Sequence, residues 1–314
     1  MVLLDRPTKE LLSGMLTLWM VVVMVQTIVY SYVRPSCKRK PPPAVNNATL
    51  LPTIHAVLCA RIYAADPPKW SRHELEQWVQ YMRYAGVSHV YLYDTRHNDA
   101  ESLAAWAAEH GTSITYVDWL DHSIPWTVAD TQNAAYQHAL DTYGKASDWV
   151  VAFDLDEYPF APNDLEPGFL QRAVAAYSDR VTEISLQNYV FLGAPCHGEG
   201  ERVIERMTRR SPAPLNDLVK PIYRPYGVAA AEVHHNVLNC GSQVDADADK
   251  LRLNHYWGLR KQNWGKGCDA GSTRDGKLSL RNPLPPCLLD EQVKQITVED
   301  VGAAYIARRL NEMH

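Results

Sequence analysis

Residues 71–94 read SRHELEQWVQYMRYAGVSHVYLYD, and this stretch decides the fold. Ser71 and Glu74 stand at capping-box spacing, in which hydroxyl and carboxylate each satisfy an amide at a helix start. Leu75, Trp78, Val79 and Met82 then recur at helical spacing. Gly86 stops the helix, because glycine enters the left-handed conformation without a Cβ penalty. Val87 to Tyr93 follows at once as a strand of β-branched and aromatic residues, ending on Asp94.

The same alternation extends on both sides. His55 to Ala60 is a short apolar run and reads as a buried strand. Asn98 to His110 reads as a helix closed by Gly111, Ser113 to Val117 as a strand, Ala129 to Tyr143 as a helix ending at Gly144, and Trp149 to Phe153 as a fourth strand. This β-α-β-α-β-α-β order predicts an α/β fold, with a mostly parallel sheet flanked by helices. Ligands of such sheets gather beyond the carboxyl ends of the strands, so the loops after Ala60, Tyr93, Val117 and Phe153 are expected to face one crevice. No Gly-x-Gly-x-x-Gly follows the first strand and no Walker loop occurs, which argues against dinucleotide dehydrogenases and P-loop enzymes. The second half is less regular. Helix is expected over Leu165–Tyr177, strand over Thr182–Tyr189, short strands around Lys220–Arg224, Ala230–His234 and Leu251–His255, and a helix over Val298–Asn311 capped by Thr297.

Leu11 to Val33 carries no charged residue over 23 positions, enough for a helix to cross a bilayer and too long for a signal-peptide core. The expected organisation is a short tail (1–10), a transmembrane helix (11–33), a basic, Pro-rich stem (34–52) and one domain (53–314) in two halves, 53–160 and 161–314. Arg34, Lys38, Arg39 and Lys40 after the span favour a cytosolic C-terminal side by the positive-inside rule, whereas the sequon Asn47-Ala-Thr49 favours a luminal one. None of the six cysteines has metal-finger spacing, and the set suits an oxidising lumen. Cys268 with Cys287 is the pairing expected, Cys59 is expected to be buried, and Cys37 offers a link between two stems in a homodimer. Lys plus Arg number 31 against 36 Asp plus Glu, a net charge of −5 that leaves no basic excess for nucleic acid.

The chemistry concentrates in Asp154-Leu-Asp156-Glu157, directly after the fourth strand. A strand puts Asp154 and Asp156 on one face. Crowded carboxylates repel unless compensated, and a hard divalent cation, Mn²⁺ or Mg²⁺, is the simplest compensation. Lys220, Arg224 and the pair His234-His235 lie downstream. His255, at a strand end, is followed by Arg260, Lys261 and Lys266, cations suited to a departing diphosphate. His255 is then a metal or phosphate contact, or a satisfied core residue. Two chemistries share the acidic pattern: sugar transfer from a nucleotide sugar, and phosphoryl transfer of the haloacid-dehalogenase type. The second expects its acidic strand first in the domain, whereas here it is fourth, and Tyr158 stands where Thr or Val is expected. A tethered glycan-binding pseudoenzyme is the non-catalytic alternative.

Cys59-Ala60, residues 75–81, residues 86–94, Asp154–Tyr158, Lys220–Pro225, His234-His235 and His255-Tyr256 together resemble glycosyltransferase family 92 and its family-2-like relatives, over about Val57 to Lys266. The resemblance implies a GT-A, Rossmann-like fold with 53–160 as the nucleotide-sugar half and 161–314 as the acceptor half. It further implies a single-pass type II Golgi anchor with a luminal domain, a metal-held nucleotide sugar and inversion at the anomeric carbon. Its characterised members make galactose, UDP-linked, the implied sugar and a glycan or glycoconjugate the implied acceptor. By the same resemblance Asp154 and Asp156 hold Mn²⁺ with His255 as third ligand, Arg61 and Asp94 contact the nucleoside, and Lys220 serves the phosphate region or the acceptor side. Where the family usually carries Asn-Glu after the Cys-Ala strand, this chain has the longer stretch Arg61 to Trp70. The catalytic base is sought in the acceptor half, among Asp217, Glu232 and His234, with Glu232 preferred because it sits at an expected strand just before the histidine pair.

Overall fold

The structure is a computed structural model that describes residue 37 and residues 51–62, 71–122, 126–192, 202–214, 219–256 and 298–313. The 11–33 segment, Asp217, Arg260, Lys266 and the Cys268–Cys287 pair lie outside these residues. Among the described residues, no helix is long and apolar enough to cross a membrane.

The strands of the first half fall where its pattern predicts. Strands β1 (Ile54–Ala60), β2 (Val87–Asp94), β3 (Ile114–Asp118) and β4 (Trp149–Ala152) pair in parallel, in the order β4-β1-β2-β3. Helix α1 (Arg72–Ala85) starts at Ser71, whose backbone N donates to Glu74 Oε2 at 2.9 Å. It ends at Gly86, with φ of 109°, where an added Cβ would come within 2.7 Å of the Gln171 side chain. Leu75, Trp78, Val79 and Met82 are fully buried beneath it, each burial contributing about 1.5–3 kcal/mol. The same helix fixes the next sheet: Trp78 Nε1 donates to the Glu157 carbonyl at 3.1 Å and Tyr81 Oη to the Pro159 carbonyl at 2.6 Å.

The other helices of this half are interrupted by tertiary bonds. In place of one helix over 98–110 there is a 3₁₀ turn (Asp99–Glu101), then α2 (Ala104–Glu109). Arg61 grips the Glu101 carboxylate, and the Leu103 amide donates to Asp94 Oδ2, so the chain breaks between the two. A π-helical segment, Val128–Asn133, precedes α3 (Ala134–Tyr143). Farther along, α4 (Phe169–Ala175) is shorter than expected because Pro167 and Gly168, with φ of 80°, stand before it.

At Asp154 the chain leaves the central sheet. Strand β5 (Glu157–Phe160) belongs to a second sheet, ordered β14-β8-β7-β13-β5 and built with β7 (Asn188–Leu192), β8 (Arg209–Arg210), β13 (Arg252–His255) and β14 (Val298–Glu299). The single strand expected over 182–189 is thus two: β6 (Val181–Leu186) in the central sheet and β7 in the second. Between β7 and β8 lies α5 (Val203–Arg206). The central sheet is completed by β9 (Lys220–Tyr223), antiparallel between β4 and β6, and by β12 (Ser242–Asp245) on β6.

Strand β10 (Val228–Ala230) pairs with β11 (Val237–Leu238) and stops before Glu232, so the strand expected over 230–234 is a loop. Its amides go to side chains: Ala231 N to Gln137, Glu232 N to Asn236, Val233 N to Asn133 and Asn236 N to Glu183. At the C-terminus the expected helix over 298–311 starts later. Val298–Glu299 pairs with β8, Asp300 Oδ1 accepts the Gly302 amide, and α6 runs Gly302–Glu312. Cys37 is bonded to Cys240, with Cα atoms 5.2 Å apart, so the sulfur expected to be open for a link between two stems is committed within one chain. Cys59 is free and buried, as its apolar surroundings predict.

Candidate active site

Three chain segments meet at the carboxyl edge of β4. The turn from β4 to β5 carries Asp154, Asp156 and Glu157, and is closed by the Glu157 amide donating to the Asp154 carbonyl at 3.0 Å. Strand β9 runs antiparallel to β4, so its first residue, Lys220, arrives at the same edge. Strand β13 runs antiparallel to β5 and pairs its last residue, His255, with Glu157.

The side chains form one connected cluster. Lys220 Nζ donates to Asp154 Oδ2 at 3.0 Å and lies 3.1 Å from Glu157 Oε2. Gln132 Nε2, from the π-helical segment, donates to Asp154 Oδ1 at 2.9 Å. Glu157 Oε2 also accepts the Asp154 amide at 2.8 Å. His255 Nε2 lies 3.2 Å from Asp156 Oδ2, and its Nδ1 lies 2.9 Å from Asn188 Nδ2. Asp156, Glu157, Lys220 and His255 are buried, whereas the Asp154 side chain keeps 24% of its surface in solvent. The cluster therefore opens on the Asp154 side.

Charge follows from this packing. Burial raises the Glu157 carboxyl above the ordinary glutamate range, with Lys220 opposing. Burial acts to lower the Lys220 ammonium, but Asp154 and Glu157 together outweigh it, and Lys220 ends above the ordinary lysine value. Lys220 is thus a fixed internal cation of the acidic cluster. The resemblance assigned it to the phosphate region or the acceptor side; its ammonium is engaged by Asp154 and Glu157.

The expected three-ligand set is not assembled. Among the described residues, no three His, Cys, Asp or Glu side chains converge as metal ligands would. Gln132 and Lys220 each donate to one oxygen of Asp154. Asp156 Oδ2 and His255 Nε2 stand 3.2 Å apart, a separation that suits adjacent ligands of one octahedral ion. An orphaned atom supports the fit. Asn188 Oδ1 is buried with no hydrogen-bond partner among the described residues. Reversing that amide places Oδ1 against a proton on His255 Nδ1, the arrangement of a histidine whose Nε2 lone pair serves a metal. Mg²⁺ and Mn²⁺ ordinarily keep waters and substrate phosphates in their other positions, so two protein donors suffice.

The nucleoside candidates lie along the same edge of the sheet. Arg61 makes a two-pronged ion pair with Glu101, at 2.9 and 3.0 Å. Asp94 is fully buried, accepting the Leu103 amide at 3.0 Å and the Tyr116 hydroxyl at 3.2 Å. Burial raises its carboxyl above the ordinary aspartate range despite those bonds. Through Oδ2, Asp94 therefore organises the loop behind the edge. Arg96, bonded to Asp118 with an Nη2–Oδ2 distance of 2.7 Å, braces the neighbouring strand end.

Of the base candidates, Glu232 is exposed in the 231–236 loop, and His234 is half-buried with Nδ1 3.0 Å from the Val219 carbonyl oxygen. The preference for Glu232 rested on a strand that stops at Ala230. Sequence reasoning missed Gln132, Asn188 and Glu101 as parts of this edge. No local signal marks them, because each acts on a partner at least 20 positions away.

A sequence profile of glycosyltransferase family 92 matches residues 56–282, well over half the chain. No curated protein matches it. Among solved structures the chain is similar to TarS 1–349 of S. aureus, with a TM-score of 0.30, 11% identity, and 55% of this chain and 47% of that chain covered. It is similar as well to Rv0371c of Mycobacterium tuberculosis H37Rv, at 0.28, 17%, 45% and 68%. A third is S. aureus TarS 1–349 in complex with UDP-GlcNAc, at 0.30, 10%, 62% and 59%. The chain spans about half the length of the first TarS structure. On the strength of the profile match, the chain belongs to glycosyltransferase family 92.

Proposed function

We propose that this chain is a glycosyltransferase that moves a hexose, galactose by family, from a UDP-linked donor to a hydroxyl of a glycan or glycoconjugate, in one inverting displacement. The observation that carries this reading is the Asp154–Glu157 cluster at the carboxyl edge of β4, joined there by His255. Asp156 and His255 would hold a divalent cation, Mn²⁺ or Mg²⁺, which when bound neutralises charge on the departing diphosphate. Lys220 and Gln132 hold Asp154 at the open side of the cluster, where it faces donor or solvent. Glu157 ties the turn by accepting the Asp154 amide, so the two aspartates keep their relative placement. Arg61, held by Glu101, stands where β1 delivers a side chain toward the nucleoside.

The same proposal places the chain as a single-pass type II Golgi membrane protein with a luminal domain, anchored through 11–33. The apolar length of that segment, the stem sequon and the Cys37–Cys240 bond, which suits an oxidising compartment, support it. The test is transfer by the full-length, detergent-solubilised chain from a panel of UDP- and GDP-hexoses to glycan acceptors, with Mn²⁺ and with EDTA. Metal-dependent transfer from UDP-galactose is expected. Undiminished transfer in EDTA would remove the cation from the reading, and turnover of phosphomonoesters alone would replace it with the phosphatase.

A further inference from the structure

The 231–236 loop is held to the active-site cluster by one turn of chain. Gln132 of the π-helical segment bonds Asp154, and the next residue, Asn133, accepts the Val233 amide at 3.0 Å. Gln137, one turn later, accepts the Ala231 amide at 3.0 Å. A π-segment is a rare local geometry frequently found at functional sites, and here it points successive side chains at the acidic cluster and at the loop.

The loop presents His234. Its Nδ1 lies 3.0 Å from the Val219 carbonyl oxygen, and a carbonyl only accepts, so Nδ1 carries the proton. In the neutral ring Nε2 is then a bare acceptor. Val219 directly precedes Lys220, which holds Asp154, so the bond anchors the ring beside the open side of the cluster. Burial lowers the His234 pKa below the ordinary histidine value. Lys220 and His235 add to this, while the Val219 carbonyl and Asp154 oppose it. At neutral pH the ring is therefore unprotonated. Glu232 lies on the same loop but is exposed.

We propose that His234, and not Glu232, is the catalytic residue that takes the proton from the acceptor hydroxyl. The proposal rests on the transferase reading above. As the acceptor oxygen forms its bond to the anomeric carbon, Nε2 takes the hydroxyl proton. The bond from that carbon to the diphosphate oxygen breaks, and its electron pair leaves with the diphosphate. Nδ1–H stays on the Val219 carbonyl throughout, which fixes the ring and spreads the imidazolium charge. The proton passes to solvent after product leaves.

The experiment uses the full-length chain in detergent with UDP-galactose and a glycan acceptor. His234→Asn is the informative variant, since its amide nitrogen keeps a donor for the Val219 carbonyl while Nε2 is lost. Its kcat is expected to fall about 10²- to 10⁴-fold, the usual contribution of a general base. UDP binding by calorimetry and the donor KM stay at wild-type values, and the acid limb of the wild-type pH–rate profile disappears. Added imidazole restores part of the rate, which a merely misfolded variant would not show. Glu232→Gln keeps wild-type kcat. A His234→Asn rate within about threefold of wild type with the acid limb intact, or the same loss in Glu232→Gln, overturns the proposal. A wild-type chain that neither binds UDP nor transfers sugar overturns the transferase reading itself, a result distinct from either of these.

Discussion

The antiparallel pair β5–β13 carries an ion cluster at each end, and the two are built on opposite logic. At the Glu157–His255 end, three carboxylates gather around one lysine and one histidine. At the Phe160–Arg252 end, two guanidiniums grip one carboxylate: Arg210 Nε lies 2.6 Å from Asp300 Oδ2, and Arg252 bonds the same oxygen. There the cationic charge rests on rings. Arg210 lies 4.8 Å from the Tyr189 centroid, and Arg252 lies 5.1 Å from Tyr189 and 4.9 Å from Phe160. The second cluster joins β8, β13 and the start of the C-terminal helix, three pieces far apart in sequence, and is a fastening. The first keeps one carboxylate open to solvent beside a histidine-bearing loop. Ion clusters of similar size thus separate into fastening and site by which charges are covered and which stay open.

That contrast breaks most visibly at Asp156. Asp156→Asn is expected to lower kcat/KM for transfer by roughly 10³-fold, several kcal/mol of transition-state stabilisation, with the melting temperature nearly unchanged. Loss of folding instead would make the acidic end a fastening too. Lys220→Met sits between the roles. Leaving Asp154 and Glu157 without their buried cation is expected to cost about 3–5 kcal/mol in urea denaturation, and adding Glu157→Gln to recover part of it. Asp300→Asn at the other end is expected to cost about 1.5–3 kcal/mol and to leave kcat within a small factor of wild type.

The Asp300 prediction has a pH signature. Burial alone would raise this carboxyl, but Arg210 and Arg252 hold it below the ordinary aspartate range. A depressed folded pKa adds stability that is fully present above the unfolded value, about 4, and is lost as pH falls through the folded value. Wild type should therefore lose stability below about pH 4 by an increment missing from Asp300→Asn. The smallest effect is expected for Tyr189→Leu, about 0.5–2 kcal/mol of stability, from removing the ring that faces both guanidiniums. A loss of transfer there, with folding intact, would show that the two ends are coupled.

The local units of the first half were legible because their signals are short-range. The Ser71–Glu74 box, the Leu75-Trp78-Val79-Met82 stripe and Gly86 all act within a turn or two, and α1 and β2 appear where those signals place them. Legibility failed where a distant side chain competed with backbone pairing. Arg61 and Asp94 broke the helix expected over 98–110, and Asn133, Asn236 and Gln137 turned an expected strand into the His234 loop. The acidic cluster itself was readable as three carboxylates after an apolar strand, but its internal division was not.

By itself the sequence determined the alternation that builds a mostly parallel sheet and the concentration of carboxylates at the end of its fourth strand. Periodicity and side-chain type are local properties, and they survive in the fold. Only the tertiary structure decided that Lys220 lies inside the cluster, that Asp156 pairs with His255 while Asp154 does not, and that His234 holds its proton on Nδ1. Each of those depends on which strands become neighbours, and a hydrogen bond between residues 15 to 99 positions apart leaves no mark on the residues that flank either partner.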